Sequence, residues 1–248
     1  MRGALVVTGG SRGIGAATAR LAGTRGYAVC VNYRGNGTAA EAVVRDITEK
    51  GGRAVAVRGD VANEAEVARL FDETEKALGP IGGLVNNAGL TGPISRITDV
   101  SLATLREVFD INILGSFLCA REAVRRMSTA RGGKGGSIVN LSSMAAFLGG
   151  PGEFVHYAAS KGAIETFTIG LAREVAREGI RVNAVAPGLI DTDIHAAAGA
   201  PDRVERLGPS VPMGRGGTAE EVAAAILWLL SDAASYVTGT SLRVSGGR

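Results

Sequence analysis

Tyr157 and Lys161 place a phenol and an ammonium group four residues apart in the stretch VHYAASKGA. If this stretch is helical, residues four apart share one face, so the Lys161 side chain lies against the turn that carries Tyr157. A nearby cation favours the phenolate and lowers the pKa of tyrosine from about 10, which suits the phenol to proton transfer near neutral pH. The other interpretation is a surface tyrosine beside a solvated lysine, and these residues alone do not separate the two.

A second candidate feature is the glycine-rich segment TGGSRGIG at residues 8–15, which follows an apolar run and begins a helical pattern. Glycines permit a tight turn and let the backbone approach a pyrophosphate, and the helix N-terminus favours that anion. A plain loop produces the same letters. Because the strand and the helix are placed as in dinucleotide-binding proteins, the segment predicts a dinucleotide site, which would supply a hydride carrier for Tyr157 to work with.

Strand and helix patterns alternate along the whole chain. Strand-like runs occupy residues 4–7, 28–33, 54–57, 83–87, 137–141, 181–186 and 241–245. Helical patterns occupy residues 16–25, 38–50, 64–78, 102–126, 157–177 and 219–230. The alternation predicts one α/β domain over residues 1–248, a doubly wound Rossmann-type fold with a parallel sheet of about seven strands and helices on both faces. The long, proline-containing connection at residues 189–217 predicts a substrate lid.

Composition argues against several other functions. The chain is 46% hydrophobic and 21% charged, as is typical of globular proteins, and a net charge of +3 with 4% aromatic residues offers little for nucleic-acid binding. Cys30 and Cys119 lie in apolar runs without a CxxC motif, which predicts buried thiols and no metal site. With no signal-peptide pattern, and with the longest apolar run at only residues 222–230, we expect a cytoplasmic protein without a membrane partner.

Further motifs resemble the short-chain dehydrogenase/reductase family over essentially the whole chain. The glycine segment has the form TGxxxGxG rather than GxGxxG, as it does in that family. The other family motifs follow in order: Asp60-Val61, NNAG at residues 86–89, Asn112, Ser142-Ser143, Tyr157 with Lys161, Pro187-Gly188, YVTG at residues 236–239 and the glycine pair at residues 246–247. Within the family, the chain is similar to bacterial glucose-dehydrogenase-like and 3-oxoacyl-carrier-protein-reductase-like members.

The resemblance implies an oxidoreductase that transfers a hydride between nicotinamide and a carbonyl or alcohol substrate. Tyr157 is then the general acid/base, and Lys161 lowers its pKa and binds the nicotinamide ribose. Ser143 holds the substrate oxygen, and Asn112 positions a water that links Lys161 to solvent. Ser142 is the alternative assignment for this role. Neighbouring side chains at a strand end point in opposite directions, so only one of the two serines can face the site, and the family motif favours Ser143.

The predicted cofactor is NADP(H) in preference to NAD(H). NAD enzymes place an acid at the end of the second strand to bind the ribose 2′-hydroxyl, but Tyr33 fills that place here, and Arg34 and Arg12 could bind a 2′-phosphate. Solvated arginines are the other interpretation. Asp60 is expected to border the adenine, with a helix cap as its alternative role. The full predicted cofactor-binding set is Gly9, Ser11, Arg12, Gly13, Ile14, Tyr33, Arg34, Asp60, Val61, Asn86, Ala88, Gly89, Tyr157, Lys161, Pro187, Gly188 and Thr192.

The two histidines are not expected to be catalytic. His156 is adjacent to Tyr157 on the predicted helix and therefore projects about 100° away from the phenol. His195 is expected to be an exposed histidine of the lid, although a contact with substrate is its alternative role.

The substrate and the assembly are less closely defined. A sugar, a small ketone or an alcohol fits the pattern, and a 3-oxoacyl-carrier-protein reductase of fatty-acid synthesis is the runner-up. For the runner-up, Arg125, Arg126, Arg131 and Lys134 form a candidate basic patch, but Glu178 stands where such enzymes tend to have an arginine. A non-catalytic dinucleotide-binding sensor or scaffold is the alternative from another class. The resemblance also implies a homotetramer.

Overall fold

Seven strands form one parallel sheet in a computed structural model that describes residues 3–248. The strand order is β3-β2-β1-β4-β5-β6-β7, and all neighbouring pairs are parallel. Most central strand residues are apolar and buried, as expected of a sheet covered on both faces. The strands are β1 (Ala4–Val7), β2 (Ala28–Tyr33), β3 (Arg53–Arg58), β4 (Ile81–Asn86), β5 (Gly136–Leu141), β6 (Ile180–Pro187) and β7 (Ser241–Val244).

Helices cover both faces of this sheet. They are α1 (Gly13–Thr24), α2 (Gly37–Glu49), α3 (Glu64–Leu78), α4 (Leu102–Phe109), α5 (Gly115–Met127), α6 (Ala145–Leu148), α7 (Val155–Val175), α8 (Ile194–Ala197), α9 (Arg203–Leu207) and α10 (Ala219–Leu230). Because strand side chains alternate, Leu5 and Val7 pack with α1, α2 and α10, whereas Ala4 and Val6 pack with α3, α5 and α7. The predicted doubly wound fold is therefore confirmed. No helix within residues 3–248 is long and apolar enough to cross a membrane.

The predicted single helix at residues 102–126 is interrupted. A π-helical turn, Asp110–Leu114, separates α4 from α5. A π turn contains one extra residue per turn and so rotates the following helix relative to the preceding one. Both α-helical parts keep an apolar face toward the sheet, which is why their periodicity merges into one pattern in the sequence. The turn carries Asn112, which is fully buried.

The two ends of the segment at residues 189–217 are joined by backbone hydrogen bonds. The amide of Asp191 donates to the carbonyl of Gly217 at 2.9 Å, and the amide of Gly217 donates to the carbonyl of Leu189 at 2.9 Å. Between these ends lie α8, α9 and a short 3₁₀ turn, Gly208–Ser210. The sequence predicted a long connection without helices here, because these elements are too short to show a helical period.

Candidate active site

A cavity of about 960 Å³ opens at the carboxyl ends of the strands. It lies beside β1 and β4, the neighbouring strands from which the chain winds in opposite directions. Open α/β sheets bind ligands at such a switch point. Nearly all of the predicted site residues line this cavity: Gly9, Ser11, Arg12, Gly13, Ile14, Tyr33, Arg34, Asp60, Val61, Ala88, Gly89, Ser143, Tyr157, Lys161, Pro187, Gly188 and Thr192.

The glycine turn forms one end of the cavity and is fixed by polar contacts. Gly9 has a positive φ of 59°, which glycine adopts without strain. A Cβ on Gly15 would lie 2.4 Å from the Gly9 carbonyl oxygen, so only glycine permits this turn to pack on α1. The side-chain amide of Asn87 donates to the backbone carbonyls of Thr8 and Gly9 at 2.8 and 3.0 Å. The backbone N–H of Asn87 donates to the Thr8 hydroxyl at 3.0 Å.

The N-terminus of α1 faces the cavity without a side-chain cap. Arg12 precedes α1 and its side chain makes no capping hydrogen bond. The first turn of α1 carries no acidic residue. Free backbone N–H groups and the helix dipole therefore offer a site for a phosphate group. Thr192 lies beside this turn, because a Cβ on Gly13 would be 3.4 Å from the Thr192 methyl carbon. The glycine turn thus has the shape and the donors that a pyrophosphate requires.

The ends of β2 and β3 form a polar edge of the cavity. Arg34 is half-exposed and lies 3.8 Å from both Asp60 and Glu107, at the outer limit of an ion pair. Asp60 accepts a hydrogen bond from the Ala62 amide at 3.0 Å. The cap of α3 is Asn63 and not Asp60, so the alternative interpretation of Asp60 as a helix cap is wrong. The Asp60 side chain instead closes its own turn next to Val61.

Asn86 does not line the cavity. It is the last residue of β4, and its side chain points to the face covered by α5 and α7. Its amide donates to the Asn140 side chain at 2.9 Å and to the Ser116 carbonyl at 3.1 Å, and Asn140 donates in turn to Thr168. Asn86 was predicted to contact the cofactor, but it is not among the residues that line the cavity. The neighbouring Asn87, which was not in the predicted set although it belongs to the same NNAG motif, lines the cavity instead.

Ser143, Tyr157 and Lys161 meet at the other end of the cavity. The Lys161 ammonium donates to the Leu141 carbonyl at 2.7 Å and lies 5.7 Å from the centre of the Tyr157 ring. Ser143 is the polar side chain that lowers the pKa of the Tyr157 phenol, against the effect of burial. Ser142 also borders the cavity, but its hydroxyl is buried and lies 3.5 Å from the Lys161 carbonyl oxygen. The geometry therefore pairs Ser143, and not Ser142, with the phenol.

Burial has opposite effects on the two titratable groups. Burial raises the pKa of Tyr157 above its usual value of 10, and the hydrogen bond from Ser143 opposes this rise. Burial lowers the pKa of Lys161 to about 8. In both cases the charged form loses its hydration. The phenol thus needs a charged neighbour to become a base near neutral pH, and Lys161 is the cation within reach.

Asn112 holds the backbone around this site and does not line the cavity. Its side chain accepts from the Leu90 amide at 2.9 Å and donates to the Leu90 carbonyl and to the Ser160 hydroxyl, both at 2.9 Å. Ser160 donates in turn to the Tyr157 carbonyl at 2.7 Å. A Cβ on Gly89 would lie 3.1 Å from the Asn112 oxygen and 3.5 Å from the Lys161 ammonium, so both side chains approach this glycine.

The two histidines behave differently from each other. His156 is buried, hydrogen-bonds with the Thr91 carbonyl oxygen at 2.9 Å and lies outside the cavity lining. The expectation of an exposed His195 is wrong, because His195 is partly buried and lines the cavity, with its ring 2.9 Å from the Ile190 carbonyl oxygen. Burial lowers the pKa of His195.

Several lining residues near Tyr157 were missed by sequence reasoning. Glu153 and Phe154 precede α7, and Arg203 begins α9. Glu153 and Arg203 form an ion pair although they are distant in sequence, so no local pattern announces it. Within residues 3–248, no group of three His, Cys, Asp or Glu side chains could hold a metal ion.

Comparison with known proteins agrees with this architecture. Residues 9–248 match a family model described as enoyl-(acyl carrier protein) reductase. An uncharacterized oxidoreductase, YgfF, from Escherichia coli strain K12 is 51% identical over 98% of this chain and 98% of its own. A 3-oxoacyl-[acyl-carrier-protein] reductase from Synechocystis is 41% identical over 98% of this chain and 95% of its own. A crystal structure of a blue fluorescent protein from a metagenomic library, in complex with NADPH, has a TM-score of 0.89 at 34% identity, covering 99% of this chain and 97% of that one.

The fold and the cavity together define an oxidoreductase of the dinucleotide-binding class. The chain belongs to the short-chain dehydrogenase/reductase family, because the family model and the relatives extend over nearly its full length.

Proposed function

We propose that this protein is an NADP(H)-dependent oxidoreductase that transfers a hydride between nicotinamide and a carbonyl or alcohol carbon, with Tyr157 as general acid/base. The observation that carries the proposal is the meeting of Ser143, Tyr157 and Lys161 in the same cavity as the uncapped glycine turn. Hydride transfer and proton transfer must occur on one substrate at the same place, and this cavity offers both functions together. A sensor or scaffold would require only the glycine turn.

Proton transfer would be carried out by Tyr157 with the help of Ser143. In the direction of reduction, Tyr157 donates its proton to the substrate oxygen while the Ser143 hydroxyl donates a hydrogen bond to the same atom. In the direction of oxidation, the Tyr157 phenolate removes the proton from the alcohol. The cofactor supplies or accepts the hydride when it is bound. Asn112 contributes by fixing Leu90 and Ser160, and through Ser160 the backbone of Tyr157.

Lys161 supplies part of the stabilisation that the phenolate needs near neutral pH. At the observed 5.7 Å from the ring, a unit charge contributes about 3 kcal/mol at an effective dielectric of 20, or about two pK units. That is less than the roughly three units separating a normal phenol from neutral pH, and burial acts in the opposite direction. The positive charge of an oxidised nicotinamide and the Ser143 hydrogen bond must therefore supply the remainder.

The residues that would hold the cofactor follow the cavity from one end to the other. The α1 N-terminus with Ser11, Gly13 and Ile14 would bind the pyrophosphate, and Asp60 with Val61 would border the adenine. Lys161 and Thr192 would contact the nicotinamide half. Gly9, Ala88, Gly89, Pro187 and Gly188 would supply backbone surface without obstructing the dinucleotide.

A preference for NADP(H) over NAD(H) is proposed from the charges at the end of β2. Tyr33 leaves this place without a carboxylate of its own, and both Arg34 and Arg12 line the cavity. The contacts of Arg34 with Asp60 and Glu107 are long and solvated, so they are weak and can be exchanged for contacts with a 2′-phosphate. The NADPH-bound structural relative supports the same choice.

Replacing Arg34 with Ala should lower kcat/KM with NADPH by about 10- to 100-fold, because a charge-assisted contact with phosphate contributes about 1.5–3 kcal/mol. With NADH, kcat/KM should stay within about threefold, since no phosphate contact is lost. Both values come from initial rates at saturating substrate. Arg25→Ala is the matched control, because Arg25 is an exposed arginine at the other end of α1. A wild-type protein that prefers NADH would contradict the assignment.

The proposed substrate is a small carbonyl compound or alcohol. A panel of aldehydes, ketones, sugars and a 3-oxoacyl thioester, followed by NADPH absorbance, tests the proposed function directly. Turnover of at least one ketone or aldehyde, with the reverse reaction on the corresponding alcohol, is the expected result. No turnover of any member with either cofactor would leave the sensor or scaffold as the better interpretation.

The carrier-protein alternative rests on the name of the family model and of one relative. The candidate basic patch gives it little support. Arg126 is engaged by Glu122, Asp72 and Glu75, and Arg125 pairs with Glu122 at 2.8 Å. The Glu178 carboxylate accepts a hydrogen bond from Ser128 and adds negative charge nearby. Two of the four basic residues of the patch are therefore paired with carboxylates, which weakens its attraction for an acidic carrier domain. A free 3-oxoacyl thioester remains within the panel.

We further propose a single domain over residues 1–248 in which residues 189–217 form the lid, and a homotetramer as the assembly. Exposed apolar side chains on α5 and α7, including Phe117 and Ile169, offer an apolar surface for a partner subunit, and Trp228 on α10 offers another. A cytoplasmic location is proposed as well, since the buried thiols of Cys30 and Cys119 suit a reducing compartment.

A further inference from the structure

An ion pair joins the lid segment to the residues that precede α7. The two terminal guanidinium nitrogens of Arg203 donate to the two oxygens of the Glu153 carboxylate, at 3.0 and 2.5 Å, so the contact is bidentate. The Arg203 side chain is only 11% exposed, and that of Glu153 is 38% exposed. The pairing lowers the pKa of the Glu153 carboxyl. The partial burial of Arg203 and the bidentate geometry distinguish this pair from ordinary surface ion pairs.

The same arginine reaches Tyr157 through an aromatic contact. The guanidinium carbon of Arg203 lies 5.3 Å from the centre of the Phe154 ring. Phe154 is buried and meets the Tyr157 ring edge to face, with 6.4 Å between centres and 72° between planes. Phe154 also precedes the first residue of α7, and its carbonyl accepts from Ala158 at 2.8 Å. A displacement of Arg203 therefore reaches the phenol through one intervening side chain.

Two backbone contacts connect the same three segments. The Ser95 amide donates to the Glu153 carbonyl at 3.0 Å, and the Ile94 amide lies 3.4 Å from the Ala198 carbonyl oxygen. The lid segment, the loop after β4 and the start of α7 thus close this end of the cavity together. Within this closure, the Glu153–Arg203 pair is the charged contact between the lid and the residues that carry Tyr157.

We propose that Arg203 and Glu153 are positioning residues that couple closure of the lid to the placement of the Tyr157 phenol. This inference rests on the proposed function, in which Tyr157 transfers the proton. When the lid is closed, Arg203 fixes Glu153 and packs on Phe154, and Phe154 holds the Tyr157 ring toward Ser143. When the lid opens, the pair separates, both contacts are lost and the phenol is no longer held for proton transfer. Substrate entry and catalytic competence then alternate.

The matched control lies on the same helix. Arg206 and Asp202 are 3.7 Å apart and both more than half exposed. The charge of Arg206 contributes to the lowered pKa of Glu153, but the carboxylate with which Arg206 pairs is Asp202, within the lid. Arg206→Gln therefore removes a lid arginine without removing the proposed coupling. Arg203→Lys keeps the positive charge but loses the planar, bidentate contact, and we expect an intermediate effect.

Turnover of the best substrate in the panel is the first measurement. Arg203→Gln and Glu153→Gln should each lower kcat by about 10- to 100-fold, as expected for a displaced catalytic group, with KM and NADPH affinity within about threefold. The double variant should be no worse than the poorer single variant, because two partners of one contact are not additive. Arg206→Gln should match the wild type. An unchanged kcat, or an effect confined to KM, would overturn the positioning role, since a substrate contact changes KM.

Amide hydrogen exchange provides a second measurement that requires no turnover. Arg203→Gln, a change in the lid, should increase exchange by about tenfold at residues 153–160 as well as at residues 190–207, and Glu153→Gln should do the same at both places. Exchange that rises only in the substituted segment would overturn the coupling. If the wild type turns over no carbonyl, the proposed function fails while this measurement still decides whether the two segments are coupled. Circular dichroism confirms that each variant is folded.

Discussion

Replacing Tyr157 with Phe should lower kcat/KM for carbonyl reduction by about 10³-fold, within the range that a positioned acid or base contributes. The substitution removes one hydroxyl and keeps the aromatic ring, so the edge contact with Phe154 is retained. NADPH affinity should change by less than about threefold, because the lost hydroxyl is one of many groups in a large cavity. Initial rates and fluorescence titration with NADPH provide the two numbers.

The control for this substitution is Tyr236→Phe, because the Tyr236 side chain is fully exposed. It should leave both turnover and cofactor binding unchanged. A Tyr157→Phe protein that retains a tenth or more of its turnover would remove the phenol from the mechanism and leave Ser143 as the remaining candidate. Loss of NADPH binding together with turnover would instead indicate a structural role for the hydroxyl.

The parts of the site carried by strand ends could be predicted from the sequence. Parallel strands end at the same edge of the sheet, so motifs that follow β1, β4 and β5 must gather there. Their apolar runs are buried on both faces and therefore stand out from the rest of the chain. The Tyr157 and Lys161 pair was predictable for a similar reason, since helical spacing alone puts the two side chains on one face.

The orientation of Asn86 and Asn87 could not be predicted in the same way. Side chains at a strand end alternate between faces, so the role of each depends on the residue at which the strand stops. The sequence pattern extends the strand to residue 87, whereas β4 ends at Asn86. That single residue decides which asparagine ties the helices together and which one holds the glycine turn.

Two other features depend on contacts between distant segments. The π turn at Asp110–Leu114 buries Asn112 against the backbone of Leu90, and a helical period of 3.6 residues tolerates such an interruption without a visible break. The Glu153–Arg203 pair joins residues that the sequence separates by all of α7 and β6. Charge pairing of this kind has no local signature, because each residue alone resembles a solvated surface charge.

Lys161→Met is expected to lower kcat/KM by about 100-fold or more while leaving the folded protein at least as stable as the wild type. The loss follows from the cation's contribution of about 3 kcal/mol to the phenolate, taken at the 5.7 Å that separates the ammonium from the centre of the Tyr157 ring. Met has a similar length and fills the same buried space without a charge. Lys134→Met, which removes an exposed lysine, is the matched control and should change neither property.

The stability of the Lys161→Met protein follows from the pKa of the lysine. Burial lowers the pKa of Lys161 from 10.5 to about 8, so holding it protonated in the folded state at pH 7 costs about 3 kcal/mol. Removing the ammonium avoids that cost but leaves the Leu141 carbonyl without its donor, at about 1–3 kcal/mol. At pH 7 the free energy of unfolding should therefore rise by about 0–2 kcal/mol, as measured by urea denaturation without cofactor.

The pH dependence separates this explanation from a simple packing effect. Below pH 8, Lys161 is protonated in both the folded and the unfolded state, so the full cost is present. Between about pH 8 and 10.5 the unfolded state still binds the proton that the folded state has released, so the wild-type free energy of unfolding rises with pH. From pH 7 to 10 this gain is about 2–3 kcal/mol, and the Lys161→Met protein lacks it. Tyr157 is coupled to Lys161 and does not cancel, so the two proteins are compared in a Tyr157→Phe background, where the remaining titrating groups cancel in the difference. If the free energies of unfolding of the two proteins change with pH in parallel, burial does not destabilise the Lys161 ammonium. The argument that this charge is held in place for the phenolate would then fail.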